Sequence, residues 1–381
     1  MPPGTLPSSQ TAISPVEEII EELRVGRMVI LMDDEDRENE GDVVVAAEKV
    51  TVDQINFMLK HARGLICMPM SEERLKALGL RMMVAENTSP LGTAFTVSID
   101  AVACQGTGMS ARDRTTTIRT AAGDDAAARD FVVPGHVFPL RARDGGVLVR
   151  TGQTEGTVDL CRLAGLKSAG VICEILNEDG TMARLPEIVR FAGLHGLKIG
   201  TVADIIQHRL ENESHVSCVA TARLPTKFGG DFTVHIYHSS VEEGEHTVLV
   251  KGEIDPDRPV LVRAHAEYLP GDVFAYTHRN TRGVLHSAMR MIAEEGAGVI
   301  LYVRRRGRGA EILAEDTDAP ASTNPAARLA NFKDYGIGAQ ILRDLGVRKI
   351  RLLTNSPPRF ANIGGYGLEV VEVVAVEPID T

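Results

Sequence analysis

A run of carboxylic acids between two apolar stretches constrains the fold of this chain more than any other feature. Residues 33–42 read DDEDRENEGD, in which seven side chains are acids and Arg37 is the only cation. MVILM (28–32) precedes this run and VVVAA (43–47) follows it, and both have the length and composition of buried strands. The acidic run is therefore predicted to be a loop that is held at both ends. Carboxylates confined in such a loop repel one another, which raises their pKa values or requires a cation.

Two interpretations of the acidic run stay open on the residues alone, and a third is excluded. A solvated surface loop is the ordinary explanation of an acidic run. A calcium-binding EF-hand is excluded, because that loop needs glycine at the position where this chain has Asn39. A magnesium site remains, since Mg²⁺ takes one or two carboxylates and completes its shell with water and substrate. The remaining carboxylates would then be available for proton transfer.

Chain length and a change in sequence pattern predict two domains. A chain of 381 residues is too long for one ordinary core. Strands alternate with helices as far as residue 210, and capping residues mark three of the helix starts, at Ser14, Thr51 and Ser71. Beyond that point strand-like runs follow one another directly, and a helix is predicted near 281–295. The predicted class is α+β or α/β, with a mixed sheet and helices in the first domain and an α/β arrangement in the second.

The predicted boundaries follow from the same patterns. Residues 314–331 combine acids and prolines with almost no large apolar side chain, which is typical of a surface loop or a disordered segment. The stretch ENESH lacks periodicity and is typical of a linker. The prediction is a flexible tail (1–13), a first domain (14–210), a linker (211–217) and a second domain (218–381).

Charge and composition exclude several classes of function. The net charge of −11 is incompatible with the basic face of a nucleic-acid-binding protein. No run approaches the 18 apolar residues of a membrane span, so no membrane partner is expected. Five cysteines without a CxxC pair indicate reduced thiols, which favours a cytoplasmic protein. An anionic substrate would have to be held by a local group of arginines or backbone N–H donors.

Two glycine-containing turns are candidate anion sites. VRTGQTEGTVDL (149–160) places Arg150 and Thr154 around the start of a predicted helix, where backbone N–H groups bind phosphate. GTGMSARDR (106–114) is a second such turn and contains Thr107. A capped turn without a ligand is the better explanation of each of them when it is taken alone.

Two ionisable residues lie in apolar surroundings. His136 in FVVPGHVFPL is on its own more typical of a hydrogen-bonded core histidine than of a catalytic one. Glu174 lies inside the apolar strand GVICEIL, and a buried carboxylate needs a partner or a raised pKa. Glu174 is therefore a candidate site residue.

Seven segments in one order across residues 14–210 closely resemble the 3,4-dihydroxy-2-butanone 4-phosphate synthase family. They are DDEDRENEGD, ARGLICMPM, GTAFTVSIDA, TGMSARDRTTTI, FVVPGHVFPLRA, TEGTVDLCRLAG and GVICEILNEDGTMAR. The resemblance implies conversion of D-ribulose 5-phosphate to L-3,4-dihydroxy-2-butanone 4-phosphate and formate in riboflavin biosynthesis. It also implies Mg²⁺ or Mn²⁺ as cofactor and a homodimer.

The resemblance assigns roles to individual residues. It implies catalytic roles for His136, Glu174 and Glu40. It implies substrate contacts for Arg37, Asp42, Cys67, Thr107, Arg150, Thr154 and Glu174. Glu38 is an implied metal ligand, and Gln153 stands where the family has its metal-binding histidine. An amide oxygen is also an acceptable ligand for a hard cation such as Mg²⁺.

The second half resembles GTP cyclohydrolase II, with important differences. RAHAEYLPGDVF, GVILYVRRRGRG, KDYGIGAQILRDLGV and RLLTNSP occur in the family's order. The family's zinc needs three cysteines, but Tyr268 stands at the first position and residues 275–283 contain none. Asn331 and Lys333 stand where the family has a catalytic acid and an arginine. The prediction is a degenerate domain without zinc, and the spacing of His265, His278 and His286 matches no zinc pattern.

Two rival interpretations remain. The chain could be bifunctional and also open GTP, against which the missing cysteines count. It could instead be a non-catalytic regulator or scaffold of the riboflavin pathway, against which the intact acids and His136 count.

Overall fold

The computed structural model describes residues 13–34, 37–241, 244–304, 336–355 and 363–379. The chain divides into two compact units, Met1–His208 and Arg209–Thr381. Each unit contains a seven-stranded sheet with helices, as the predicted fold class requires. No helix in the described parts of the chain is long and apolar enough to span a membrane.

The first unit is built on a mixed sheet with strand order β4-β5-β3-β6-β2-β1-β7. Its strands are β1 (Val29–Met32), β2 (Gly41–Ala46), β3 (Cys67–Met70), β4 (Ile99–Ala101), β5 (Phe131–Arg141), β6 (Gly170–Glu174) and β7 (Ile199–Thr201). Its helices are α1 (Val16–Arg24), α2 (Val52–Phe57), α3 (Glu72–Ala77), α4 (Ala111–Ala122), α5 (Gln153–Leu163), α6 (Leu185–His195) and α7 (Val202–Asn212).

The hairpin of β1 and β2 places the acidic run. Every residue of both strands is buried, as their continuous apolar pattern predicts. The strands pair antiparallel, with Met32 opposite Gly41, so the acidic run connects their ends. Gly41 and Asp42 themselves belong to β2, which moves Asp42 from the predicted loop into the sheet. Burial of each large apolar side chain contributes about 1.5–3 kcal/mol, so the hairpin fixes where the loop begins and ends.

Two of the three predicted helix caps are confirmed. The Thr51 hydroxyl accepts from the backbone N–H of Gln54 and forms a capping box with it. The Ser71 side chain likewise accepts from the N–H of Arg74. The predicted cap at Ser14 is wrong: α1 begins at Val16 without a side-chain cap, and the Ser14 N–H donates to the Ile199 carbonyl at 2.8 Å. Pairing with β7 takes precedence over capping at this position.

The second unit has the strand order β14-β13-β11-β12-β10-β9-β8. Its strands are β8 (Val216–Thr226), β9 (Gly230–Ser239), β10 (Glu245–Lys251), β11 (Pro259–Ala266), β12 (Gly298–Val303), β13 (Lys349–Leu353) and β14 (Glu369–Val374). The unit also contains helices α8 (Leu269–Asp272) and α9 (Thr281–Glu295), and residues 336–344 form a further helical stretch. The predicted loop at 314–331, with Asn331 and Lys333, lies outside the described residues.

The predicted linker, 211–217, lies within the second unit, because the boundary between the units falls inside α7 after His208. Helix α7 continues to Asn212 and β8 begins at Val216. The Gln340 amide donates to the carbonyls of Leu210 at 2.6 Å and Glu213 at 3.0 Å, and its oxygen accepts from the His215 N–H at 2.8 Å. These bonds satisfy the backbone groups that a helix end and a strand start leave free.

Candidate active site

Two carboxylic acids face each other across neighbouring strands of the first sheet. Asp42 on β2 pairs with Glu174 on β6, and directly opposed residues of an antiparallel pair present their side chains on the same face. Burial, and then the charge of Glu174, raises the pKa of Asp42 well above its usual value. Burial also raises the pKa of Glu174, whose Oε2 accepts from the Leu65 N–H at 2.8 Å. Such a pair holds a proton more tightly than either carboxyl would in water.

Cys67 lies beside this pair on β3. Its side chain is buried, and its strand pairs with both β5 and β6. Burial, and then the negative charges of Glu174 and Asp42, raises the pKa of the Cys67 thiol. A thiol in this setting stays protonated and lines the site as a small neutral group, since reactive cysteines need a lowered pKa.

Asp33 organises the acidic loop, although its role was not predicted. Its fully buried carboxylate accepts from the Glu40 N–H at 3.0 Å and from the Glu38 N–H at 3.3 Å. Its Oδ2 also lies 2.6 Å from Nη1 of Arg37. Burial, and then the charge of Glu38, raises the pKa of Glu40, while Arg184 acts in the opposite direction. Glu40 therefore holds a proton more readily than an exposed glutamate does.

The two predicted metal ligands converge on one cationic atom. Nη1 of Arg37 lies 2.8 Å from Oε2 of Glu38 and 3.1 Å from Oε1 of Gln153, in addition to its contact with Asp33. A guanidinium nitrogen thus stands among three side-chain oxygens. Carboxylate and amide oxygens are the donors that Mg²⁺ prefers, so this donor set fits a divalent cation. Among the described residues, no group of three His, Cys, Asp or Glu side chains could by itself hold a metal ion.

The start of α5 is a candidate anion site. Gly152 precedes the helix and leaves its first N–H groups without a side-chain cap. A methyl group added at Gly152 would lie 2.6 Å from Nη1 of Arg150 and 3.2 Å from Nη2 of Arg37. Thr154 is buried in the first helical turn. Two guanidinium groups therefore flank a helix N-terminus, which is the combination that binds phosphate.

Glu155 holds Arg150 in place and was not predicted. It is fully buried, its Oε2 lies 2.6 Å from Nη1 of Arg150, and its Oε1 accepts from the Arg143 N–H at 3.0 Å. A buried carboxylate next to the predicted phosphate site would repel an anion if it were not neutralised. Its pairing with Arg150 neutralises the carboxylate and orients the guanidinium, whose Nη2 donates to the Leu91 carbonyl at 3.2 Å.

His136 and Thr107 form a second group around Asp100. Nδ1 of His136 lies 2.7 Å from Oδ2 of Asp100, and the His136 N–H donates to Oδ1 at 2.9 Å. The His136 side chain is 41% exposed, so it is not a core histidine. Thr107 is exposed in the turn before α4, which Asp113 holds through the N–H groups of neighbouring residues.

Arg114 is a buried cation on α4. Burial lowers the pKa of Arg114, while the charge of Asp100 acts in the opposite direction. Burial, and then the charges of Glu174 and Asp42, raises the pKa of the Cys173 thiol. Apart from Asp33, which lies in the acidic run, sequence reasoning missed the residues that hold others in place: Asp100, Arg114, Glu155 and Arg184. Of these four residues, only Glu155 had a signal in the sequence: it is an acid that directly follows the predicted site residue Thr154.

Two family models match the chain. The model described as 3,4-dihydroxy-2-butanone 4-phosphate synthase matches residues 17–208, half of the chain. The chain belongs to the 3,4-dihydroxy-2-butanone 4-phosphate synthase family. It is therefore an enzyme of riboflavin biosynthesis, as the sequence predicts. The model described as GTP cyclohydrolase II matches residues 217–375.

Relatives of this synthase match over almost its whole length. Riboflavin biosynthesis protein RibBA of Aquifex aeolicus is 51% identical, and the match covers 95% of this chain and 92% of the relative. The 3,4-dihydroxy-2-butanone 4-phosphate synthase of Pseudomonas aeruginosa is 47% identical over 96% of this chain and 100% of the relative.

Solved structures agree with both units. RibBX, a two-domain 3,4-dihydroxy-2-butanone 4-phosphate synthase from A. baumannii, has a TM-score of 0.76 and 41% identity, and the match covers 96% of this chain and 100% of that one. A 3,4-dihydroxy-2-butanone 4-phosphate synthase in complex with two magnesium ions has a TM-score of 0.51 and 44% identity, and covers 53% of this chain and 99% of its own.

The second unit of this synthase has a hydrogen-bonded hub around Asp272. Asp272 accepts from the Tyr268 N–H at 2.9 Å, the Thr281 hydroxyl at 2.6 Å and the Tyr302 hydroxyl at 2.8 Å, and lies 2.9 Å from Nε2 of His265. Burial alone would raise the pKa of Asp272, but the bonds from His265 and Thr281 lower it to about 2.

The three histidines that the sequence offered as candidate zinc ligands pack against aromatic rings. His265 is buried and stacks on the Tyr302 ring at 5.3 Å. His286 stacks on Phe228 with ring centroids 3.7 Å apart, and His278 lies beside Tyr276.

Proposed function

We propose that the first unit converts D-ribulose 5-phosphate to L-3,4-dihydroxy-2-butanone 4-phosphate and formate. The observation that carries this proposal is the acid pair of Asp42 and Glu174, which lies beside the acidic loop of Glu38 and Glu40. Enolising and dehydrating a ketose phosphate requires acids that can both hold and accept protons at neutral pH. Burial raises the pKa of three carboxyls of the site, those of Glu40, Asp42 and Glu174, above the ordinary range.

The phosphate end of the substrate is proposed to bind at the start of α5. Arg150, Thr154 and the uncapped N–H groups contact it there, with Arg37 from the loop. The sugar end then lies toward Asp42, Glu174 and Cys67. Thr107 is proposed as a further substrate contact.

Glu38 and Gln153 would hold the divalent metal. When it is bound, the metal polarises the carbonyl and hydroxyl oxygens of the substrate. The two magnesium ions of the related synthase structure support a divalent cation, and we propose Mg²⁺ or Mn²⁺. Gln153 is buried, and its amide oxygen contacts the same Nη1 of Arg37 as the Glu38 carboxylate, which supports a neutral ligand at this position.

The proton transfers are proposed for four residues. One carboxyl of the pair Asp42–Glu174 removes a proton from carbon, and its partner donates to an oxygen. Glu40 exchanges protons in the loop, and His136 acts on the departing hydroxyl. Dehydration releases one water and the hydrolysis that frees formate consumes one, so substrate and products balance.

The assay for this proposal is formate release from ribulose 5-phosphate with Mg²⁺, with and without EDTA. We expect turnover that EDTA abolishes and Mg²⁺ restores, and no turnover in Glu174→Gln at unchanged thermal stability. Full activity of a folded Glu174→Gln enzyme would show that the acid pair is not catalytic.

We further propose that the second unit does not open GTP. The hydrogen bonds around Asp272 support this proposal. Tyr268 and Thr281 lie in the segments where the GTP cyclohydrolase II family has its zinc-binding cysteines, and both donate a hydrogen bond to Asp272. A zinc site needs three or four ligands, most often cysteines and histidines, and Cys218 is the one cysteine after residue 208. Elemental analysis should find well below one zinc per chain, whereas stoichiometric zinc would favour the bifunctional alternative.

The remaining proposals concern the state of the protein. We propose a homodimer in the cytoplasm, where the five free cysteines would stay reduced. Light scattering on a size-exclusion column tests the dimer, which a monomeric mass would contradict.

A further inference from the structure

His136 has an acidic partner whose position is fixed by the fold. Asp100 lies on β4 and is 6% exposed, and both of its oxygens bond His136, one through the ring and one through the backbone N–H. We propose, on the basis of the proposed synthase function, that Asp100 is a positioning residue. It fixes the ring orientation of His136 and keeps the proton of the neutral imidazole on Nδ1, so that Nε2 is the reacting atom.

The surroundings of Asp100 are built for this contact. Strands β4 and β5 approach so closely that a methyl group at Gly135 would overlap the backbone of Asp100. A methyl group at Gly108 would overlap Oδ2 of Asp100, so the turn that carries Thr107 covers this carboxylate. Two glycines therefore allow three segments to meet at one acid.

The charge of Asp100 also acts on Arg114, a buried cation of α4. Arg114 is 7% exposed, and its Nε has no hydrogen-bond partner among the described residues. A buried cation without an ionised partner is costly, and the charge of Asp100 opposes the lowering of the Arg114 pKa by burial.

The test compares Asp100→Asn with His136→Asn and with Asp130→Asn as matched control. Asp130 precedes β5 and accepts only from the Ala127 N–H at 2.8 Å. We expect Asp100→Asn to lower kcat by about 100-fold or more with KM nearly unchanged, while Asp130→Asn retains activity. Long-range ¹⁵N correlation spectra should show the Nδ1–H tautomer of His136 in the wild-type enzyme and a mixture in Asp100→Asn.

Several outcomes would overturn the assignment to Asp100. One is a wild-type enzyme in which the neutral His136 carries its proton on Nε2. Another is a folded Asp100→Asn enzyme that keeps the kcat of the wild type, or keeps its His136 tautomer. The wild-type spectrum decides the question even if Asp100→Asn does not fold. Full activity of His136→Asn would contradict the proposed catalytic role of His136 and leave the spectroscopic result on Asp100 intact.

A second inference rests on the position of Arg37. Its Nη1 is bonded to the two predicted metal ligands, while its Nη2 lies near Gly152 at the anion site. A divalent cation and a guanidinium nitrogen cannot share the same oxygens, because like charges at contact distance repel strongly. We infer, again on the proposed function, that Arg37 competes with the metal for Glu38 and Gln153. Once displaced, it turns to the phosphate, so that metal and phosphate strengthen each other's binding.

This coupling is measured without turnover. Mn²⁺ is titrated by electron paramagnetic resonance with and without inorganic phosphate, in the wild type and in Arg37→Gln. We expect phosphate to tighten Mn²⁺ binding in the wild type by a factor in the usual range of about 5 to 150, with an equal reciprocal effect. Arg37→Gln should bind Mn²⁺ more tightly without phosphate and should show no coupling.

Arg150→Gln is the matched control for Arg37→Gln. Arg150 is bonded to Glu155 and not to a predicted ligand, so this variant should lose phosphate affinity without gaining Mn²⁺ affinity. Arg37→Gln with unchanged Mn²⁺ affinity, or with the coupling intact, would overturn the inference. Because no step depends on catalysis, an inactive enzyme in the formate assay would not by itself decide this question.

Discussion

At the scale of single residues, the site works by burying acids. Asp42 is 4% exposed and faces Glu174, with Glu38, Asp33 and Glu40 also raising its pKa. Because its folded-state pKa is raised, its contribution to stability is complete below the ordinary value of 3.8 and is lost as pH rises. The acid that we propose takes part in proton transfer is therefore held at a cost to stability at neutral pH.

Asp42→Asn should accordingly stabilise the protein while it abolishes turnover. In EDTA at pH 7 to 8 we expect the free energy of unfolding to rise on the order of 1–3 kcal/mol, and this gain should vanish near pH 4. Urea melts at the two pH values measure the effect. The exposed Asp125→Asn is the control and should change nothing, whereas a destabilised Asp42→Asn at pH 8 would show that Asp42 is ionised and paired.

Gln153 offers a second test at this scale. An imidazole binds Mn²⁺ more strongly than an amide oxygen, but it must be deprotonated to do so. Gln153→His should therefore bind Mn²⁺ more tightly at pH 8, and the gain should shrink as pH falls through about 6.5. Identical Mn²⁺ titrations of both proteins at pH 6 and pH 8 would indicate that residue 153 is not a ligand.

At the scale of elements, sequence reasoning succeeded where burial is continuous. β1 and β2 are apolar throughout, so their positions and the loop between them were predictable. β8 was missed because its residues are nearly all exposed and carry no apolar period. Asp100 and Glu155 were missed for another reason: their partners are distant in the sequence or buried, and a pattern of residue types does not show which strands meet.

Arg184 tests whether the acidic loop is held from outside. Its Nη1 donates to the carbonyls of Glu38 and of Asn39, the latter at 2.7 Å, and Asn39 has a left-handed φ of 53°. Arg184→Met should weaken Mn²⁺ binding by roughly tenfold, because the ligand loop loses its clamp, with little effect on the melting temperature.

Arg190→Met, on the same helix α6, is the matched control. Arg190 is bonded to the Glu187 side chain on the exposed side of the helix, so its loss should leave Mn²⁺ binding unchanged. Equal Mn²⁺ affinities of Arg184→Met and the wild type would show that the loop is rigid without Arg184.

At the scale of the whole molecule, the predicted site residues all lie in the first unit, which has its own sheet and core. A variant truncated after Asn212 keeps α7 complete and should retain kcat/KM within about threefold if it folds as a separate domain and dimerises. A dimeric, folded truncation without activity would show that the second unit contributes to catalysis.

The most direct measurement is a paired formate assay on one preparation of the full-length protein. One sample receives ribulose 5-phosphate with Mg²⁺, and the other receives GTP with Mg²⁺ and added Zn²⁺. The account predicts formate from ribulose 5-phosphate, lost on addition of EDTA, and none from GTP. No formate from ribulose 5-phosphate, in a preparation whose melting curve shows a folded protein, would contradict the proposed synthase function.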